Sequence, residues 1–413
     1  MQKSLIEHMV VALILVVSLP SFALDFEAQV GLEGRYFSEQ GLDEQDQSSL
    51  SAWVKPKLYQ EFSDGANQFH LQGFYRYDQQ DSERTHGDIR EAYWLHIGDY
   101  IDTQIGIGKV FWGVTESQHL VDIVNQTDLV ESPDAEEKLG QPMFLMSTAQ
   151  GSVLLDVFVL PYFRERTFPG EDGRLGAPFP INDNDAEFES GAEEEHVDYA
   201  IRWGIVGGGF EFMLSHFHGT SREPLFILND DFVNPELVPF YPQIEQTGLV
   251  YQMVSGSWLW KFEGIIRSGF GDRFGAVTTG FEFTQGSAFG TDADLGWIIE
   301  GLWDERDEDT TGFTEHDVFV GWRWAANDIE STEFLLGAIV DIYSGEQVYG
   351  LEATRRWLDV LTINFELRAF EGGDKLPQDK TDRIQAIADR DPDEKTSFLQ
   401  TEDFVQLEVT YFF

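Results

Sequence analysis

Glu402-Asp403-Phe404-Val405-Gln406-Leu407-Glu408-Val409-Thr410-Tyr411-Phe412-Phe413 is the stretch whose pattern decides the fold. Val405, Leu407, Val409, Tyr411 and Phe413 alternate with Gln406, Glu408, Thr410 and Phe412, so a strand here has one oily face and one mostly polar face. In a soluble antiparallel sheet the oily face would belong to a core, and a run stopping on an aromatic would be out of place. A closed barrel accounts for it better, because pairing the last strand with the first removes the open sheet edges.

Segments of about ten alternating residues, the length a tilted strand needs to cross a bilayer, recur along the chain. Phe26 to Phe37 sets Phe26, Ala28, Val30, Leu32 and Tyr36 against Glu27, Gln29, Glu33 and Arg35. Leu50 to Phe62 sets Ala52, Val54, Leu58 and Phe62 against Trp53, Lys55, Lys57, Tyr59 and Glu61. Further segments fall at 69–78, 90–97, 101–108, 142–149, 152–163, 197–205, 210–217, 246–254, 258–267, 275–283, 295–303, 317–324, 334–342, 349–357 and 361–370. The count is about eighteen, with sixteen the other even number that shifting boundaries allows. Short returns at 64–66, 98–100, 207–209, 327–328 and 358–359 alternate with long acidic segments, the asymmetry of periplasmic turns and extracellular loops. Tyr36, Tyr93, Trp203, Trp258, Trp303, Trp322, Trp324, Trp357 and Tyr411 stand near strand ends, as interfacial girdles would. The expected fold is therefore all-β: a transmembrane antiparallel up-and-down β-barrel.

Composition narrows the class. The absence of Cys excludes a disulfide-stapled fold and thiolate metal sites. A formal charge of -47 argues against nucleic acid and anionic inner-leaflet lipid as partners, and suits surroundings rich in divalent cations. Lys3, the apolar run from Met9 to Leu19 and the small-x-small site Ser21-Phe22-Ala23 read as a signal peptide over residues 1–23, leaving 24–413 for the barrel.

One segment breaks the period. From Gly108 to Asp128, Leu120, Ile123 and Val124 lie at helical spacing, and Thr115 with Gln118 makes a capping box. The pattern predicts a short amphipathic helix, and burying its apolar face would require folding the insertion, residues 111–141, inward onto the barrel wall. Residues 164–195 and 371–401 are the long extracellular loops.

The closing strand resembles that of bacterial outer-membrane β-barrels, whose terminal aromatic is read by the barrel-assembly machinery. Gly108-Lys109, Trp112-Gly113 and then Asp122, Asn125 and Asp128 resemble a group of porin-like outer-membrane proteins with a D-x-x-N-x-x-D pattern, and Leu160-Pro161-Tyr162-Phe163 with Pro169 is similar to that group's strand exit. Where Pro commonly follows the Asn, this chain has Gln126. The resemblance implies a passive channel or transporter in the cell outer membrane. Its partners would be membrane lipid, lipopolysaccharide and small polar solutes, with the homotrimer common among porins as one assembly. No catalytic residue carries over.

The residues expected to form a pore constriction are Lys109, Glu116, His119, Asp122, Asn125 and Asp128, faced by Arg35, Lys57, Arg76 and Arg90 on the wall. Opposed charges of this kind orient small polar solutes, although they can equally serve to satisfy one another on a wet wall. Asn182-Asp183-Asn184-Asp185 offers hard oxygen ligands, with Asp183 and Asp185 as metal candidates, but lacks the Gly and distant Glu of an EF-hand loop. Surface Ca2+ or Mg2+ bridging to lipopolysaccharide is the one ion expected; no cofactor is. Ser215-His216-Phe217-His218 with Glu211 is no triad by adjacency, and G-x-S-x-G, H-E-x-x-H and P-loop motifs are absent, so an enzyme is not expected. The alternative to an open channel is a plugged barrel acting as a scaffold for a partner, or as a transporter of hydrophobic compounds.

Overall fold

The computed structural model describes residues 24–63, 65–132, 134–231, 234–269, 271–307, 312 and 314–413; the signal-peptide reading of residues 1–23 lies outside them. The strands are β1 (Asp25–Phe37), β2 (Ser48–Phe62), β3 (Asn67–Asp78), β4 (Gly87–His96), β5 (Asp102–Gly108), β6 (Gln141–Gln150) and β7 (Val153–Leu160). Next come β8 (Glu187–Phe188), β9 (Asp198–Gly207), β10 (Phe210–Thr220), β11 (Leu225–Leu228), β12 (Leu237–Tyr241), β13 (Gln243–Ser255) and β14 (Trp258–Ser268). The last are β15 (Phe274–Gln285), β16 (Asp294–Asp304), β17 (His316–Ala325), β18 (Glu333–Asp341), β19 (Gln347–Trp357), β20 (Leu361–Glu371) and β21 (Phe404–Phe412).

All but β8, β11 and β12 form one 18-stranded sheet in which each strand pairs antiparallel with the next, and β1 closes the ring on β21. The closure is in register, with Leu32 opposite Val409 and Arg35 opposite Gln406, and the Phe413 N–H donates to the Ala28 carbonyl at 2.9 Å. Alternation then fixes the faces. Phe26, Val30, Leu32, Tyr36, Val405, Leu407 and Tyr411 stay exposed on the outer wall, while Glu33 and Trp53 are buried on the inner one. Oily side chains left outside along a ring with no open edge are what a lipid surround demands. Among the described residues no helix is long and apolar enough to cross a membrane.

Short turns and long connections sit at opposite ends. The β9–β10 hairpin turns on Gly208 and Gly209, both at positive φ (64° and 83°), the backbone of a tight two-residue return. The long connections are not featureless. β8, β11 and β12 form a separate three-stranded sheet, and Lys380–Asp389 is a helix capped by Asp379, whose side chain accepts the Thr381 and Asp382 N–H groups. Arg383 on that helix is fully buried, donating to Asp43 and to the Pro178 carbonyl at 2.8 and 2.7 Å, so three separate loops are tied together at this end.

Two expectations need correction. The insertion folds inward but is not helical; residues 111–128 run as turns and irregular backbone. Its amides at Val114, Thr115, Glu116, Ser117 and Val121 donate to wall carboxylates, and the Thr115 hydroxyl reaches Glu263 instead of capping a helix. Tyr93 is no girdle residue: it stacks on His70, which also touches Tyr59, on the inner wall.

Candidate pore constriction

The inserted segment leaves β5 after Gly108 and returns at Gln141. Its apolar side chains, Trp112, Val121, Ile123 and Val124, pack with Phe158, Met213, Phe217, Val250 and Ile265 of the wall, so this part of the interior is a dry core. Burial of four such side chains is the non-directional force that holds the segment against the wall.

Buried carboxylates then fix its position. Glu263 of β14 accepts from the Val114 N–H (2.6 Å), the Thr115 N–H (3.0 Å), the Thr115 hydroxyl (2.8 Å) and the Val121 N–H (3.3 Å). Glu300 of β16 accepts from the Glu116 and Ser117 N–H groups and the Ser117 hydroxyl, all within 3.0 Å. On another side of the ring, Arg222 donates to the Val124 carbonyl at 3.1 Å and pairs with Asp198 at 2.6 Å. Across the ring Arg76 pairs with Glu131 at 2.8 Å and with Glu33 at 2.9 Å, and Arg84 joins Glu33 and Asp78. Arg368 reaches Asp134 at 3.1 Å. The segment is thus tied to β1, β3, β14, β16 and β20.

Placed in this frame, the residues read from sequence divide. Asn125 is buried and joins the two ends of its own segment: its carbonyl accepts the Val110 N–H and its amide donates to the Gly108 and Leu139 carbonyls, each at 2.9 Å. Asp122 accepts the Trp112 N–H at 3.1 Å and pairs with Lys138 at 3.2 Å. Burial pushes the Asp122 carboxyl up, against the opposing pull of Lys138. Asp128 is fully buried, bonded to Arg90, to the Thr167 hydroxyl at 2.6 Å and to His86 Nε2 at 3.3 Å. Burial opposes its ionisation, but the His86 hydrogen bond and the Arg90 charge win and hold the carboxyl well below the usual carboxylate range. His86 is correspondingly raised: burial would lower it, and the Asp128 bond with the charges of Asp128 and Glu131 outweighs that. The D-x-x-N-x-x-D spacing therefore supplies fasteners rather than groups facing open space.

Glu116, His119 and Lys57 are more open. Glu116 pairs with Arg323 at 2.6 Å, and His119 lies against the Phe111 ring with Glu136 at 3.6 Å. Arg35 bonds Gln406 and the Glu131 carbonyl, whereas Lys57 is half-exposed with Glu27 at 4.0 Å and does not reach the segment. Its neighbour on the same face, Lys55, takes that place. A cavity of about 230 Å³ remains between the segment and the wall, lined among others by Lys55, Arg76, Arg90, Glu131, Glu137 and Glu408. Arg76 and Arg90 are neutralised by their partners, whereas the Lys55 ammonium, which makes no ion pair among the described residues, lies beside the Trp53 and Phe74 rings, 5.4 and 5.8 Å from their centroids. Burial pushes the Lys109 ammonium down, with Glu137 opposing. Glu263, Glu300, Arg84, His86 and Arg222 were not distinguishable as fasteners in the sequence.

Two further candidates stand elsewhere. Asp183 and Asp185 lie on an exposed 3-10 turn, bonded to Asn184 and Asn182, and join no group of three potential ligands among the described residues. Ser215 faces inward, while His216 and His218 are exposed on the outer face, so the three do not meet.

The chain is thus a closed 18-stranded antiparallel β-barrel, charged inside and crossed by a tethered loop. No protein-family model and no curated protein matches the chain. Among solved structures, Pseudomonas aeruginosa OccD3 (OpdP) is 8% identical and aligns over 95% of this chain and 91% of its own with a TM-score of 0.52. P. aeruginosa OccK3 (OpdO) is 9% identical over 94% and 96%, with a TM-score of 0.51. A mutant of the Rh. blastica porin is 10% identical over 94% and 100%, with a TM-score of 0.45. At such identities the likeness to the two P. aeruginosa barrels is one of fold.

Proposed function

We propose that this chain is an outer-membrane channel through which small hydrophilic solutes or ions diffuse down their gradients, narrowed by the inward-folded segment 111–141. The observation that carries this reading is the contrast of walls: oily side chains outside, and inside a charged cavity left open beside a segment held in place by its own fasteners. Lys55, Lys109, Glu137 and Glu408 are the groups a passing solute would meet. The reading places the long loops outside the cell, among lipopolysaccharide, and has the barrel inserted by the assembly machinery; a homotrimer is part of it. No catalytic step is involved. Swelling of proteoliposomes in neutral sugars of increasing size tests it: swelling with the smallest and none with the largest supports a narrowed channel. No swelling in any sugar favours the second reading, a plugged barrel serving as a scaffold. That reading has its own support in the ties that fasten the segment to strands all round the ring. The polar lining speaks against passage of hydrophobic compounds.

A further inference from the structure

Away from the segment, at the long-loop end, a second set of acids comes together. Asp307 follows β16, Glu315 precedes β17 and Asp393 belongs to the connection between β20 and β21; one carboxylate oxygen from each lies within 4.8 Å of the other two. Glu315 is 1% exposed, and neither of its carboxylate oxygens has a hydrogen-bond partner among the described residues. A buried carboxylate is ordinarily held by several donors. Its neighbours are: Asp341 accepts from Tyr343 and Ser344, and Glu346 accepts the Lys395 and Thr396 N–H groups at 2.7 and 3.0 Å. The loop donors thus go to those two acids, and the ion-pair partner of Glu315 among the described residues is the Lys395 ammonium, 3.4 Å away. One ammonium offsets one of three carboxylate charges. His316 Nδ1, 3.2 Å from Asp307, is likewise buried without a hydrogen bond among the described residues.

We propose that Asp307, Glu315 and Asp393 bind one divalent cation, Ca2+ in preference to Mg2+. Two oxygens on opposite sides of a Ca2+ with bonds of about 2.4 Å are about 4.8 Å apart, and Ca2+ accepts the irregular, carboxylate-rich shell that separate loops supply, whereas Mg2+ demands shorter bonds in a near-ideal octahedron. The ion completes the burial of Glu315 and pins the connection after β20 to the β16–β17 loop. It does not depend on whether the lumen conducts.

Equilibrium dialysis of the full-length protein, folded in detergent and stripped with chelator, against radiolabelled Ca2+ tests this. The expected result is one saturable site per chain with a dissociation constant of about 10⁻⁴–10⁻³ M, as in extracellular modules, and competition by Mg2+ at least tenfold weaker. Glu315→Gln keeps the shape and weakens binding at least tenfold; Asp393→Asn, at a half-exposed position that folding tolerates, does the same. The pair Asp183→Asn with Asp185→Asn leaves binding unchanged. Absence of a saturable site, unchanged affinity in both single variants, or equal weakening by the Asp183/Asp185 pair would overturn the assignment.

Discussion

Replacing Glu263 by Ala tests how the segment is held. The carboxylate is fully buried and takes three backbone N–H groups and one hydroxyl from residues 114–121. Removing it leaves three buried amides without a partner, each costing about 1–3 kcal/mol. Water entering the space left by the side chain restores part of this, and the variant is spared the cost of burying a charge. Taking the low end, the docked state loses about 3 kcal/mol, roughly a 150-fold shift in the docked-to-undocked ratio. Hydrogen exchange of the Val114, Thr115 and Val121 amides in the folded barrel is the assay. The expected outcome is a rise in exchange of about two orders of magnitude there, with the β1–β21 closure amides unchanged, and channel current that becomes larger or noisier. A correctly folded variant with wild-type protection at 114–121 would refute the reasoning.

Asn125→Ala removes all three bonds that close the root of the segment, a loss of about 3 kcal/mol at about 1 kcal/mol each; proteolysis within 109–140 should quicken while the barrel stays intact. Because His86 is raised in the folded state, its pairing with Asp128 contributes fully below its unfolded pKa of about 6.5 and is lost as pH rises through the higher folded value. Exchange at Asp128 and Glu131, corrected for intrinsic rates, should therefore increase across that rise, and a profile without a step would contradict it. Lys55→Glu reverses the charge of a cavity-lining cation that makes no ion pair among the described residues, so the reversal potential under a salt gradient should move toward cations, and an unmoved potential would remove Lys55 from the pathway. Alanine at both Asp122 and Asp128 should disturb conductance through displacement of the segment, seen as parallel loss of exchange protection at Trp112.

The barrel was legible because a period of two is a local property. Phe26 to Phe37 and Val405 to Phe413 declare their faces residue by residue, and the ring closes on them with the faces as read. What the period does not carry is depth along a strand, which is why Lys57 and Lys55, on one face, were not told apart. Helical spacing at Leu120, Ile123 and Val124 named the face that is buried, but the amides that would begin a helix are taken by Glu263 and Glu300, far along the chain and invisible to local pattern. The Asp122, Asn125 and Asp128 spacing falls in the segment that packs against the inner wall. Polarity alone does not say whether such groups turn toward solvent or toward the segment's own stem. Leu225-Phe226-Ile227-Leu228 did carry a signal, a strand-length apolar run, and it became β11 of the small outer sheet. Arg84, His86 and Arg222 sit in loops without periodicity, where nothing announced them.

Single-channel recording in a planar bilayer under a salt gradient tests the proposed open path most directly. The account predicts discrete, stepwise conductance with a finite reversal potential that the Lys55→Glu variant shifts; folded protein that inserts but leaves the bilayer at its bare conductance would contradict it.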